Sequence, residues 1–373
     1  MKIKLEYVWL DGYKPEPNLR SKVKIVKYNT VKNAFLDGNF PIWNFDGSST
    51  NQAETGNSDI ILKPVRHYMK DMQSTVYVLC EVLNPDGTPH ESNKRSSIGE
   101  GFEDLWFGFE QEYFIYDRKN KCVLGHDENN LKPQGKYYCG VGEYVVGRDF
   151  VEEHTNICLN YGIDITGTNA EVALGQWEYQ VFSQGKLNGG DDLWMSRYFL
   201  YKISEKYRYG IELHPKPIKY GEWNGSGLHT NLSTDIMRLD GNEEYFMALL
   251  NAFESRHEDH IKVYGSNNNL RLTGEYETHS INKFSWGVSD RGASIRVPQD
   301  TAKEWKGYIE DRRPGSNADP YKIICEIVKS LEFTEQIYNT KHMMTSFVDI
   351  DGLNGKYGTM SNDELLKEYR EEE

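Results

Sequence analysis

The chain has 373 residues, 38% of them apolar and 27% charged, enough to bury about two domains at roughly 150 residues each. With 43 Lys and Arg against 57 Asp and Glu the net charge is −14, so the chain lacks the basic footprint of a nucleic-acid partner and is disfavoured on an anionic membrane surface. The five cysteines (Cys80, Cys122, Cys139, Cys158 and Cys325) include no CxxC, which argues against a disulfide framework and a thiolate zinc site. The start MKIKLEYVWLDG has no apolar signal core, and no run nears the ~18 apolar residues that span a bilayer. A reducing cytoplasm is the expected compartment, and the N-x-[ST] matches at Asn224 and Asn231 are then accidental.

In chain order, the β-branched and aromatic runs KLEYVWL, KVKIVKY and STVYVLCEVL predict strands in the first ninety residues. Between them, NFDGSSTNQAETGNSDIIL (44–62) is dense in small polar residues. Asp46, Ser48 and Ser49 there form a turn, or present a carboxylate and hydroxyls to a small cation. Residues 84–99 collect Pro, Gly, Asn and Ser and read as a linker. WFGFEQEYFIYD (106–117) is a strand, and GVGEYVVG (140–147) does not fit a dinucleotide loop. Asp191 or Asp192 is placed to cap a helix running to Tyr209, with Gly210 as its terminating glycine. EEYFMALLNAF puts Tyr245, Leu249 and Phe253 on one helical face, and HEDH (257–260) is not HExxH and falls on an exposed helix. Asp319 and Pro320 start a helix whose stripe is Ile323, Ile324, Ile327, Val328 and Leu331; SNDELLKEYR is a last helix. Strands and helices alternate without a regular βαβ beat, so the fold class is α+β with mostly antiparallel sheet.

The chemistry begins in FGFEQEYF. Strand alternation puts Glu110 and Glu112 on one face, and an apolar setting makes the pair costly without cations. Glu171 and Glu178 follow in NAEVALGQWEYQ, His229 in SGLHTNLS beside Asn231 and Ser233, and Glu310 in YIEDRRP. Each alone is read as a solvated acid, a core histidine or a salt bridge. Together these five Glu and one His form an oxygen-rich set suited to Mg²⁺ or Mn²⁺, and too large for one ion. Arg271, Arg291, Arg296, Arg312 and Arg313 supply guanidiniums able to hold carboxylate and phosphate oxygens, the polarity that γ-phosphoryl transfer needs. GxxxxGK[ST] and GxSxG are absent, which excludes a P-loop enzyme and a nucleophile elbow.

FDGSSTNQA with NSD, FEQEY, GTNAEV…QWEYQ, WNGSGLHTN, RLTG, DRGASIR and EDRRP occur in one order, over nearly the whole chain. That order resembles the type II glutamine synthetases. The resemblance implies a small N-terminal β-grasp domain (1–90) and a large catalytic domain (91–373) in which a curved antiparallel sheet, flanked by helices, wraps a funnel-shaped site. It implies the reaction ATP + glutamate + NH₃ → glutamine + ADP + phosphate through γ-glutamyl phosphate, with Mg²⁺ or Mn²⁺, two or three per site.

Carried over by motif, Glu112, Glu171 and Glu178 would hold the metal near glutamate and ammonium, and Glu110, His229 and Glu310 the metal at the γ-phosphate. Arg271, Asn224 and Gly225 would bind the amino acid; Arg291 and Arg312 would stabilise the transferring phosphoryl; Arg296 would hold ATP phosphates. Asp46 with Ser49 would bind ammonium and take its proton, and Glu277 in GEYET would close over the intermediate. Trp106, Asn231, Ser233 and Tyr308 would wall the nucleotide pocket. The chain departs from the family pattern at Ala173–Gln176, at Phe182-Ser183 (commonly Gly-Pro), at Glu222 and at Trp286, none of them a proposed ligand or arginine. The resemblance further implies a decamer of two stacked pentamers, the Asp46 loop completing the neighbouring subunit's site. A lens-type structural relative, a ligase for another amine and a glycosidase with paired carboxylates are the alternatives; the complete ligand set, the Asp46–Ser49 pair and the arginine fan argue against them in turn.

Overall fold

The computed structural model describes residues 2–33, 35, 38–69, 75–126, 135–219 and 223–351. Glu222 and the expected last helix, SNDELLKEYR, lie outside the described residues. The chain opens with β1 (Lys2–Leu10), β2 (Leu19–Lys27), the one-turn α1 (Tyr28–Val31), β3 (Trp43–Asp46), β4 (Asp59–Tyr68) and β5 (Thr75–Leu83). The five strands form a sheet of order β2-β1-β5-β4-β3, with β1 and β5 parallel and the other pairs antiparallel. The run LEYVW does not alternate because both its faces are covered. Leu5, Tyr7 and Trp9 pack with Phe45, Leu62 and Val78 in a local core, while Val8, Tyr77 and Leu79 point the other way into the main core of the molecule. β2, at the sheet edge, keeps the half-exposed alternation of a one-sided strand.

The larger sheet is built on β6 (Trp106–Asp117). With β7 (Cys122–Val123), β8 (Ile165–Ala170), β9 (Gln176–Gln184), β10 (Tyr209–Glu212), β11 (Leu228–Ser233), β12 (Trp286–Val288), β13 (Ile295–Val297) and β14 (Ile309–Asp311), it runs β12-β13-β14-β11-β6-β9-β8, with β7 and β10 added to β6. Only β12 and β13 pair in parallel among the described strands of this sheet, so the mostly antiparallel expectation holds. Phe107, Phe109, Gln111, Tyr113 and Ile115 turn one face of β6 into the core, and on the other face Trp106, Gly108, Glu110 and Glu112 line the site while Phe114 packs in a smaller apolar cluster.

The helices are α2 (Arg148–Asn160), α3 (Lys186–Tyr207), α4 (Asp235–Leu239), α5 (Glu243–Ser255), α6 (His257–Val263), α7 (Gln299–Glu304) and α8 (Pro320–Asp351). Three expectations are corrected here. α3 starts at Lys186, well before the aspartates expected to cap it. Its Gly190 serves close packing, since a Cβ there would lie 2.4 Å from Tyr321 of α8. Asp191 and Asp192 are buried inside the helix and pair with Arg95 (2.8 Å) and Arg66 (2.9 Å), which tie the first sheet and the 84–99 segment to the rest of the chain. The helix ends on Arg208 in the left-handed region (φ 58°), while Gly210 belongs to β10 and faces Tyr116. α6 is not an exposed helix: His260 is buried between the Tyr264 hydroxyl and Ser330 Oγ. α8 starts as expected, with Asp319 Oδ1 accepting from the Tyr321 amide at 3.0 Å.

Candidate active site

Sheet register gathers the acids. Across neighbouring strands, Glu110 of β6 stands opposite His229 of β11 and Gln180 of β9; Glu112 stands opposite Glu178; Glu310 of β14 stands opposite Arg296 of β13 and Asn231 of β11. A cavity of about 480 Å³ opens on this face, lined by all six expected metal ligands together with Asn224, Glu277, Arg291, Arg296 and Arg312.

Ligand-bearing atoms of Glu110, His229 and Glu310 lie within 4.8 Å of one another. His229 Nδ1 is 3.4 Å from Glu110 Oε2 and 3.5 Å from Glu310 Oε1. Burial, then the charge of Arg312, holds His229 far below the ordinary imidazole range, so the ring is neutral. A neutral imidazole between two carboxylates suits a divalent metal ion, and the arrangement fits one. The carboxylates are meanwhile balanced by protein donors: Asn231 Nδ2 donates to Glu110 at 2.8 Å, and Arg296 and Arg312 donate to Glu310 at 2.8 and 2.6 Å.

Glu112, Glu171 and Glu178 line the same cavity and are all buried. Burial pushes each carboxyl well above its ordinary range, and a neighbouring acid adds to it: Glu171 for Glu112, Glu178 for Glu171, Glu110 for Glu178. Carboxamides orient them. Gln176 Nε2 donates to Glu112 at 3.0 Å, Asn169 Nδ2 to Glu171 at 2.9 Å, and Gln180 Nε2 to Glu178 at 3.0 Å. Sequence reading missed these three residues. For Asn169 and Gln180 the signal was the period-2 spacing in N-x-E and E-x-Q, which puts amide and acid on one face; Gln176 reaches across to Glu112 on β6, which no local spacing shows.

Arg271 does not line the cavity. It is buried beneath His229, where Nη2 donates to His229 Nε2 at 2.9 Å and to the Arg312 carbonyl at 3.1 Å, and burial lowers its guanidinium to about 10. Gly225 and Gly227 make room for it: a Cβ at either position would come within 2.5 Å of the Arg271 side chain. Glu277 sits on a loop closed at its base by the Thr273–Ser280 bridge, and both Tyr276 (φ 53°) and Glu277 (φ 60°) are in the left-handed region at its tip.

A second cavity, of about 380 Å³, adjoins the first and is lined by the expected Trp106, Asn231, Ser233 and Tyr308, and also by Phe182 and Arg238. Arg238 was not singled out from the sequence; its guanidinium lies 4.0 Å from the Trp106 ring centroid and donates to the Ser233 carbonyl and hydroxyl at 2.6 and 2.9 Å. Asp46 and Ser49 line neither cavity. They sit at the end of β3, exposed or partly so, where Asp46 accepts from the Ser48 amide (3.0 Å), Ser48 Oγ (2.7 Å) and Ser49 Oγ (2.9 Å), bonds that hold its carboxyl below the usual range.

Residues 2–85 match the β-grasp domain model of glutamine synthetase and residues 93–248 its catalytic domain model. A glutamine synthetase from Bradyrhizobium diazoefficiens is 50% identical over 337 residues, which cover 88% of this chain and 96% of that protein. The chain belongs to the glutamine synthetase family. Within that family, the Saccharomyces cerevisiae glutamine synthetase is 47% identical over 87% of this chain and 88% of its own length. In fold, a solved Plasmodium falciparum glutamine synthetase aligns with a TM-score of 0.68 at 15% identity, covering 90% of this chain and 72% of that one. The β-grasp sheet followed by a large domain with a curled, helix-flanked sheet is the expected α+β architecture.

Proposed function

We propose that the two adjoining cavities carry out the family's reaction with the residue roles expected from the sequence. The enzyme joins ammonia to the γ-carboxylate of L-glutamate at the expense of ATP, releasing glutamine, ADP and phosphate. One observation carries the assignment: six buried or half-buried ligand side chains and three arginines face a single cavity that opens beside an aromatic slot.

Glu110, His229 and Glu310 would hold one divalent ion and Glu112, Glu171 and Glu178 another, Mg²⁺ or Mn²⁺ in each case. Bound there, such ions neutralise phosphate and carboxylate oxygens that would otherwise repel. Neutral His229 accepts from Arg271 at Nε2, and Arg271 would grip the substrate's α-carboxylate, with Asn224 and Gly225 beside it. Arg296 holds the ATP phosphates, and Arg291 and Arg312 stabilise the γ-phosphoryl group as it passes to the γ-carboxylate oxygen. The Glu277 loop closes over the acyl phosphate, keeping water from competing with ammonia. Trp106, Asn231, Ser233 and Tyr308 wall the nucleotide base.

Asp46 and Ser49 act in a neighbouring subunit's site, binding ammonium and taking its proton. That neither residue lines a cavity of its own chain supports that reading. The yeast and Bradyrhizobium relatives are consistent with type II. The proposed assembly is a decamer of two stacked pentamers, each subunit divided near residue 90. A reducing, cytoplasmic setting fits the five free cysteines, and no described helix is long and apolar enough to cross a membrane.

The test is ADP release with glutamate, in the presence of ammonium, hydroxylamine or methylamine and in their absence. Glu110→Ala and His229→Ala should abolish it with the fold intact; normal turnover in either removes the assignment. For the shared site, inactive Glu310→Ala subunits mixed and reassembled with Asp46→Ala subunits should recover about a quarter of the ammonium-dependent activity, the fraction of interfaces that pair two intact halves. No recovery in mixed rings refutes the arrangement.

A further inference from the structure

We propose that His257 is a positioning residue, pinning the stem of the Glu277 loop to Arg313, which follows the strand that carries Glu310. This deepens, and rests on, the loop closure proposed above. Alternation along β14 and beyond it sends Glu310 and Arg312 to the site, and Asp311 and Arg313 to the opposite face, where both are buried. There the carboxylate grips the guanidinium in fork fashion: Arg313 Nε donates to Asp311 Oδ1 at 2.9 Å and Nη2 to Oδ2 at 2.7 Å. The rings of Phe253, Tyr264 and Phe284 surround the same guanidinium, with centroids 5.7, 5.2 and 5.3 Å away. Its third nitrogen, Nη1, donates to His257 Nδ1 at 3.0 Å.

A guanidinium only donates, so Nδ1 of His257 accepts and the ring proton sits on Nε2. That proton is donated to the Ile281 carbonyl, 2.9 Å away. Ile281 lies on the limb that returns from the Glu277 loop; its amide donates to the Leu272 carbonyl at 3.0 Å, just outside the Thr273–Ser280 bridge. Arg313 holds the outgoing limb as well. Its carbonyl accepts from Asn268 Nδ2 at 2.8 Å, and the Asn268 carbonyl accepts from the Leu272 amide at 2.9 Å. Both limbs are thus referred to one buried residue, the outgoing limb through the Arg313 backbone and the returning limb through its side chain and His257. The helix that carries His257 is itself anchored to α8: Arg256 pairs with Glu326 at 2.7 Å, and His260 meets Ser330 Oγ at 2.7 Å. A tip of two non-glycine residues in the left-handed region, Tyr276 and Glu277, is costly and persists only where its limbs are fixed.

The experiment compares the unsubstituted enzyme with His257→Ala, His257→Leu and His257→Gln. Two quantities are read: backbone hydrogen exchange, and glutamate-dependent ADP release without ammonium as a fraction of that with ammonium. In His257→Ala, exchange over residues 272–281 should quicken about tenfold, as for loss of one hydrogen bond to a charged donor, while β11 exchanges as in the parent. The ammonium-independent fraction should rise by a similar factor as water enters, with the KM for ATP unchanged. His257→Leu, which keeps bulk without either bond, should behave as Ala. His257→Gln, whose amide can accept from Arg313 and donate to Ile281, should return both quantities to within about twofold of the parent. Unchanged exchange over 272–281, equal acceleration in β11, a fraction that does not move with the exchange, or failure of Gln to restore either quantity overturns the proposal. If the unsubstituted enzyme shows no glutamate-dependent ADP release yet the exchange follows this pattern, the pinning role stands and the ligase reading alone falls.

Discussion

Metal binding at the Glu112–Glu171–Glu178 set should displace protons, and its affinity should rise with pH. The three acids are buried on one wall, and burial followed by a neighbouring acid raises each of them. Three linked carboxyls in that setting do not all ionise at neutral pH without cations, so at least one proton must leave when an ion enters. One proton released gives a slope of about one in log Kd against pH, or about 30-fold tighter Mn²⁺ binding on going from pH 6 to 7.5. His229 adds no proton to this count, because burial and Arg312 already keep it neutral. The metal-free protein shows the same linkage with opposite sign. A carboxyl whose folded pKa exceeds its unfolded value binds more protons when folded, so that contribution to stability is present at low pH and is lost as pH climbs from the ordinary carboxylate range through neutrality.

The assay is calorimetric titration with Mn²⁺ in two buffers of different ionisation enthalpy across that pH range, alongside thermal melts with chelator. Glu178→Gln should release fewer protons, since it removes one titrating group and relieves Glu171 of its main charged neighbour. A pH-independent Kd with no buffer-dependent enthalpy would refute the reasoning, because it would mean all three carboxylates are already ionised in the empty site.

Other substitutions test the scaffold. Gly227→Ala places a Cβ 2.5 Å from Arg271 Nη2 and 3.0 Å from His229 Nε2, so steady-state assays should show a KM for glutamate raised roughly tenfold or more, from loss of a charged hydrogen-bonding group; an unchanged KM would remove Arg271 from substrate binding. Asp191→Ala removes the buried carboxylate that pairs with the largely enclosed Arg95 guanidinium and should destabilise the fold by about 3–5 kcal/mol in denaturant melts, whereas Asp300→Ala, whose Lys303 partner is solvent-exposed, should leave the melt essentially unchanged. Equal effects of the two would contradict the distinction between buried and surface pairs.

What could be read from the sequence follows the reach of each physical signal. β6 was legible to the residue because alternation within one strand is local: aromatic side chains on one face, Glu110 and Glu112 on the other. The role of the glycines was not. Asp191 and Asp192 read as a cap, yet Gly190 beside them lets Tyr321 approach, a contact between helices about 130 residues apart in sequence that no local rule registers. The same limit hid the function of Asp191 and Asp192, whose partners Arg95 and Arg66 come from a different part of the chain. His260 looked exposed because its neighbours His257, Glu258 and Asp259 are polar, and only tertiary packing against Ser330 of α8 makes it internal. At the site, the acid set could be listed from the sequence because ionisable residues in apolar strands are rare. That Arg271 lies behind His229 depends on the missing Cβ atoms at Gly225 and Gly227, and so required coordinates. The most telling case is Phe182. From sequence it is a departure from a pattern; in the sheet it stands across Gly108 from Asn231 and lines the second cavity, a placement that only the strand register reveals.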